Sequence, residues 1–195
     1  MTENELIAFE ESIAEMFNTG KLQQVIHLSG GNEVQLIEIF RVIKPEDWVF
    51  STWRSHYHYL LKGGSPDKLR QMIIDGRSMH IMDKDLHFFS SSIVGGCPSI
   101  AVGVAAGLRR SGKSGRVYCF IGEGAEWQGS FYEAVRYADA HGLPIDFIIE
   151  DNGLSVDTPD SENFSKPSWP LCVYRYYYKR KYPHCQTGKI VKEYM

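Results

Sequence analysis

The sequence predicts an α/β domain built on a mostly parallel sheet flanked by helices, and three observations in the stretch 116–155 predict it. Residues 116–121 and 145–149 are short, nearly continuous apolar runs of the kind buried on both faces of a parallel sheet. Between them Phe131, Ala134, Val135 and Ala138 recur at helical spacing within 126–141, and Gly142-Leu143-Pro144 stops the pattern. Each apolar run breaks into polar turn residues, Gly122-Glu123-Gly124 after the first and Glu150-Asp151-Asn152-Gly153 after the second. Two strands joined through one helix lie parallel and end on the same edge of the sheet. Glu123 and Asn152 are therefore expected side by side, on the edge where open α/β sheets bind ligands.

The residue types at that edge suit a metal and a phosphate. The Glu123 carboxylate, the Asn152 amide oxygen and the Leu154 carbonyl make a hard-oxygen set fit for Mg²⁺ or Ca²⁺, while Gly124, Ala125 and the helix start offer N–H groups to an anion. The same turns would equally serve a doubly wound fold without a ligand. A nicotinamide site is a poor fit, because Gly122-x-Gly124 is followed by Gly129 and not by a glycine at the required spacing.

The other elements follow in order. Thr2 and Glu5 form a capping-box pattern ahead of Leu6, Phe9, Ile13, Met16 and Phe17, so the chain opens with an amphipathic helix ending near Gly20. A second helix is expected over 32–43, closed by Pro45, followed by an extended segment over 48–53. Ser65-Pro66-Asp67 marks another helix start, with Ser as the cap and Pro in the first turn. Residues 76–98 read as a long irregular loop, kept ordered near a site by Met79, Met82, Phe88, Phe89, Ile93 and Val94. Pro98 opens a helix rich in Ala and Gly that would let another backbone approach closely, and Arg109 and Arg110 end it too early for a membrane span. Residues 172–182 alternate as a strand would, with Tyr174, Tyr176 and Tyr178 on one face, and suit an edge strand or subunit contact better than single-stranded nucleic acid. The division expected is a ligand-binding domain over 1–160, with 1–45 as its helical lead-in, and a short extension over 161–195.

Composition bounds the function. At 195 residues, 43% hydrophobic and 23% charged, the chain can bury one α/β core. A net charge of −3 argues against a general nucleic-acid binder. No apolar run is long enough to span a bilayer and the N-terminus lacks signal-peptide features, so a cytoplasmic location is expected. The four cysteines contain no Cys-x-x-Cys pair, so reduced thiols are expected in place of disulfides or a zinc site.

Several motifs in register resemble the alpha subunit of the thiamine-diphosphate-dependent 2-oxo acid dehydrogenases, the group that includes the pyruvate, branched-chain and acetoin enzymes. Gly122-Glu123-Gly124-Ala125 and Asp151-Asn152 occupy the places of that family's Gly-Asp-Gly and Asn-Asn cofactor signature, with Gln128-Gly129, Phe131, Glu133-Ala134 and Leu143-Pro144 between them. Upstream, Phe50-Ser-Thr-Trp-Arg54-Ser-His56 is similar to its Tyr-Arg-x-His segment, 76–81 to its Gly-x-Ser-Met-His loop, and Ser92-Ile-Val-Gly95 to its Gly-Ile-Val-Gly turn. The resemblance covers the chain from about Lys21 to Pro159 and implies the thiamine-diphosphate-binding fold.

What the resemblance implies for the site is specific. Glu123, Asn152 and the Leu154 carbonyl would hold Mg²⁺ or Ca²⁺ bridging the cofactor's diphosphate. Trp53 and Arg54 would lie on the cofactor, with Arg54 paired to the diphosphate; the peptide groups around Ser92 and Val94 would hold the aminopyrimidine; Gly122, Gly124 and Ala125 would line the phosphate site. His56 and His80 would stand near the reacting centre, where imidazole can move protons near neutral pH. The activating glutamate would come from a beta-type subunit in an α2β2 heterotetramer, with a lipoyl carrier as the expected acceptor of the acyl unit. The implied reaction is decarboxylation of a 2-oxo acid, or cleavage of an acyloin, with transfer of the acyl unit. Alternatives are a transketolase-like or acyloin-forming carboligase subunit and a non-catalytic subunit that keeps the fold. Two departures stand out: Glu123 replaces the family's aspartate, and the later family histidine that touches the diphosphate has no assigned counterpart in this shorter chain.

Overall fold

A computed structural model describes residues 1–159 and 167–188 of the chain. Its centre is a six-stranded sheet made of β1 (Trp48–Ser51), β2 (Met82–Asp83), β3 (Phe88–Ser90), β4 (Val117–Gly122), β5 (Ile145–Asp151) and β8 (Val173–Tyr177), in the order β2-β3-β1-β4-β5-β8. A two-stranded hairpin, β6 (Leu154–Ser155) with β7 (Thr158–Pro159), lies between β5 and β8 in the chain. All sheet neighbours run parallel except β2, which pairs antiparallel with β3 at one edge. The expected strand–helix–strand unit is present, with β4 and β5 paired from Val117↔Ile145 to Gly122↔Glu150.

Helices cover both faces, which is why the central strands are apolar on both sides. Four of them, α1 (Glu3–Asn18), α2 (Glu33–Phe40), α3 (His56–Leu61) and α4 (Pro66–Ile74), pack with Tyr118, Phe120 and Ile148 into one core. The other two, α5 (Gly96–Ser111) and α6 (Gly129–Ala140), pack with Val117, Cys119, Ile121, Phe147 and Ile149 into a second. Alternate residues of one strand thus feed opposite cores. The local signals act as read: the capping box of Thr2 and Glu5 opens α1, and Ser65 caps α4 by accepting from the Lys68 N–H at 3.4 Å.

Three expectations need correction. The second helix spans only Glu33–Phe40. Residues 76–98 are not one irregular loop, because Phe88–Ser90 finds a parallel partner in β1, and pairing across the sheet decides what three residues alone do not signal. The helix after β4 starts at Gly129, behind a short 3₁₀ turn over Glu123–Trp127. The boundary expected at 160 lies outside the described residues; beyond it β8 pairs with β5 from Phe147↔Val173 to Asp151↔Tyr177 and forms an edge strand of the same sheet.

Candidate cofactor-binding site

The five parallel strands end on one edge, and the residues just beyond them line a single cleft. β1 contributes Thr52, Trp53 and Arg54; β3 leads to Ser91, Ile93, Val94 and Gly95; β4 to Gly122–Ala125 in sequence; β5 to Asn152, Leu154 and Ser155; β8 to Tyr178, Arg180 and His184. The cleft is open to solvent at its mouth.

Glu123 and Asn152 meet as the topology requires. The Asn152 backbone N–H donates to Glu123 Oε2 at 3.3 Å and its side-chain Nδ2 at 3.2 Å. Those bonds turn the amide so that Asn152 Oδ1 is buried without a hydrogen-bond partner. A buried acceptor left bare costs about 1–3 kcal/mol, so this oxygen is poised for a ligand that accepts electron pairs. Beside it the Glu123 carboxylate is 3% exposed, and Leu154 lines the same wall. This donor set fits a hard divalent cation. It holds one carboxylate only; among the described residues no group of three or more His, Cys, Asp or Glu side chains gathers to form a metal centre. The glycine turn is packed tightly, since a Cβ on Gly124 would come within 2.4 Å of Ser155 Oγ. Gly122, in contrast, has no neighbour within 4 Å of where its Cβ would stand, which leaves backbone open to a ligand.

Arg54 supplies the positive charge. Its guanidinium donates to the carbonyls of Leu28 and, at 3.0 Å, His184. Both partners are neutral, and no carboxylate among the described residues pairs with it, so the cation remains available to an anion. Trp53 lies against His27 and His184, with ring centroids 5.8 and 6.0 Å away. Burial first, and then the Arg54 charge, hold both imidazoles below the usual histidine range, His27 at about 3. Neutral rings next to a cation keep the local field positive without adding charge. Cys97 also lines the cleft, but burial pushes its thiol up to about 12, which makes it a packing residue.

The two histidines expected near the reacting centre are not in the cleft lining. His56 is fully buried: its Nδ1 donates to Glu10 Oε1 at 2.9 Å, and its Nε2 lies 2.9 Å from Ser78 Oγ. With its nitrogens engaged by Glu10 and Ser78, His56 links α1, α3 and the 76–98 segment and does not line the cleft. His80 is exposed and reaches the rim only through Ser92, whose Oγ is 3.1 Å from its Nε2. Ser92 itself does not line the cleft, whereas Ser91, Ile93 and Val94 on either side do.

Glu150, not singled out from the sequence, forms part of the cleft floor. It is 6% exposed and accepts from Tyr176 and, at 3.3 Å, from Asn32 Nδ2. His58 Nε2 lies 3.2 Å from the same oxygen, too poorly aligned for a hydrogen bond, while His58 Nδ1 lies 3.0 Å from Ser51 Oγ. The sequence signal was its position at the end of a strand directly before Asp151-Asn152. Tyr178, Arg180 and His184 had no such signal. They reach the cleft because the chain after β8 folds back over residues 26–31, where Lys181 N–H donates to Gly30 O at 3.0 Å and Gln186 N–H to Ile26 O at 2.7 Å.

Fold and cleft together define an α/β protein whose carboxyl-edge site combines hard oxygen donors, open backbone and a cation. The chain belongs to the dehydrogenase E1 component family, whose pattern matches residues 1–169. It is 32% identical over 165 residues to the alpha subunit of acetoin:2,6-dichlorophenolindophenol oxidoreductase of Bacillus subtilis, covering 80% of this chain and 50% of that one. It is 31% identical over 160 residues to the pyruvate dehydrogenase E1 component subunit alpha of Rickettsia prowazekii, covering 77% and 49%. The chain thus spans about half the length of the curated relatives it matches. An X-ray structure described as a thiamin diphosphate-dependent enzyme isolated from Mycobacterium smegmatis shares 23% identity and a TM-score of 0.42 over 71% of this chain and 22% of that one, a likeness too slight to add to the assignment.

Proposed function

We propose that this chain is an alpha-type subunit of a two-component thiamine-diphosphate-dependent enzyme that cleaves the bond next to a carbonyl in a 2-oxo acid or an acyloin and passes on the acyl unit. The observation that carries the reading is the bare, buried Asn152 Oδ1 beside the Glu123 carboxylate, at the sheet edge of a chain of this family. Glu123, Asn152 and the Leu154 carbonyl would hold Mg²⁺ or Ca²⁺, and Arg54 with the Gly122–Ala125 turn backbone would hold the diphosphate. When bound, thiamine diphosphate supplies the carbanion-stabilising chemistry for that cleavage. This chain's own work is to bind and orient it: Ile93, Val94 and Cys97 give apolar surface to the ring system, while Trp53 and the neutral His27 and His184 wall off water.

By resemblance to the family's two-component enzymes, a beta-type partner is proposed to contribute the activating glutamate, in an α2β2 arrangement. The α5 face carrying Gly103 and Gly107, where an added Cβ would meet nothing within 4 Å, is the proposed contact surface, with a partner strand at β8 as a second. A lipoyl carrier as acyl acceptor belongs to the same proposal.

Titration calorimetry of thiamine diphosphate with Mg²⁺ or Ca²⁺, into this chain co-expressed with its beta-type partner, tests the reading. Binding that requires the metal is expected, and Glu123→Ala should abolish that metal dependence. No binding by the intact complex would overturn the reading in favour of a non-catalytic subunit. Product analysis with pyruvate and acetoin then separates the two substrate classes named by the relatives.

A further inference from the structure

The β6–β7 hairpin is strained at the place where it meets the cleft. Leu154↔Pro159 and Ser155↔Thr158 pair, so Val156 and Asp157 form a two-residue turn. Val156 has φ 60°, the left-handed conformation that β-branched residues avoid and that this turn position normally gives to Gly. Packing does not hold it there, because Val156 is 52% exposed. What grips the turn is Arg180, whose Nη1 donates to Val156 O at 2.6 Å and Nη2 to Asp157 Oδ1 at 2.5 Å. The Arg180 side chain is only 14% exposed, although it comes from a different part of the chain.

The arginine is itself placed from outside the hairpin. Residues 179–186 cross over 26–31 as a strap, fastened by the Lys181 N–H to Gly30 O bond and the Gln186 N–H to Ile26 O bond, and by Arg54 donating to His184 O. A Cβ on Gly31 would stand 2.0 Å from Lys179 O, so the strap seats only against a glycine. On the other side of the hairpin, Ser155 is wedged against Gly124, and Leu154, Ser155 and Val156 all line the cleft.

We propose that Arg180 is a positioning residue for the cofactor site: delivered by the C-terminal strap, it clamps the strained 154–159 hairpin so that Leu154 and Ser155 stay seated against the Gly122–Ala125 turn. The consequence for binding rests on reading the cleft as the thiamine-diphosphate site, whereas the clamp itself does not. A strained turn persists only when its surroundings over-determine it, and a bidentate guanidinium spanning the carbonyl of one turn residue and the carboxylate of the next does this.

The test is a double-mutant cycle between Arg180→Ala and Val156→Gly, read in two ways. In the ligand-free full chain, hydrogen exchange of the 154–159 amides should quicken about tenfold in Arg180→Ala, a coupling of ordinary size, while α1 and α5 keep their protection. Glycine adopts the turn without strain, so exchange in Arg180→Ala/Val156→Gly should return most of the way to the wild-type rate. In the complex with the beta-type partner, the affinity for thiamine diphosphate with Mg²⁺ should fall about tenfold in Arg180→Ala and recover in the double variant. Arg180→Lys, with one point of attachment, should lie between. Unchanged hairpin exchange in Arg180→Ala would overturn the clamp. An affinity loss as large in the Val156→Gly background would also overturn it and make Arg180 a direct ligand of the anion. If wild type binds no cofactor, the cofactor reading fails, and the exchange cycle still decides the clamp.

Discussion

Glu123 and Asn152 meet across the sheet edge. The Glu123 carboxylate accepts from both the backbone N–H and the Nδ2 of Asn152, so carboxylate and amide lock each other and Asn152 Oδ1 is left as the bare acceptor. Under the proposed function, metal affinity at this site depends on the pair, and the Glu123→Ala prediction reads it directly. His27 gives a second prediction at this scale. Its folded pKa lies near 3, against 6.5 for the free imidazole, so below pH 6.5 the unfolded chain takes up a proton that the folded chain refuses. Stability from this group is full above that pH and is lost as pH falls toward 3. The slope is at most about 1.4 kcal/mol per pH unit. Urea titrations between pH 7.5 and 4.5 should show His27→Phe flattening the pH dependence relative to wild type; parallel curves would refute the assignment.

Among the elements, β8 is tied to the sheet by more than its backbone ladder. Arg175 donates to Asp151 Oδ2 at 2.6 Å and to Glu126 Oε1 at 2.5 Å, with the two carboxylates 2% and 1% exposed. Trp169 Nε1–H adds a second donor to Glu126 at 2.5 Å. On the opposite face Tyr176 donates to Glu150. Removing one partner of a buried pair leaves a desolvated charge and costs about 3–5 kcal/mol. Arg175→Met is expected to lower stability by that order in chemical denaturation, and the deficit should shrink in acid, where the carboxylates protonate. A loss of a few tenths of a kilocalorie would mean that water reaches the pair. The α3 helix is a contrasting case: its residues His56, Tyr57, His58 and Tyr59 are all buried, and Glu10, Glu33, Ser51 and Asp83 on other elements bond to them, while His58 Nε2 stays without a hydrogen bond.

For the molecule as a whole, the C-terminal part closes both the sheet and the cleft. Truncation before Ser168 would strip Arg175 from Glu126 and Asp151, Tyr176 from Glu150 and the strap from Arg54. The truncated chain is expected to lose cooperative thermal unfolding. A folded product with a Tm within about 3 °C of the full chain, roughly the shift from 1 kcal/mol in a domain of this size, would show that β8 is dispensable. Among the described residues no helix is long and apolar enough to cross a membrane.

The β4–α6–β5 unit and the meeting of Glu123 with Asn152 were legible because local pattern and topology rules suffice. Apolar runs, a helical repeat and two polar turns force parallel strands, and parallel strands force their ends together. The capping box of α1 and the Ser65 cap were legible for the same reason, since each involves residues three apart. Other features depend on partners far along the chain. Phe88–Ser90 becomes a strand only beside β1, and His56 is drawn from the cleft by Glu10 across 46 residues. The fold-back that brings Arg180 and His184 to the site is set by contacts with residues 26–31, where two glycines let backbones touch. Sequence determined the sheet edge and the meeting of Glu123 with Asn152 there through short-range periodicity. Only the tertiary structure decided which histidines and arginines line the cleft, because hydrogen bonding and burial between distant segments set those positions.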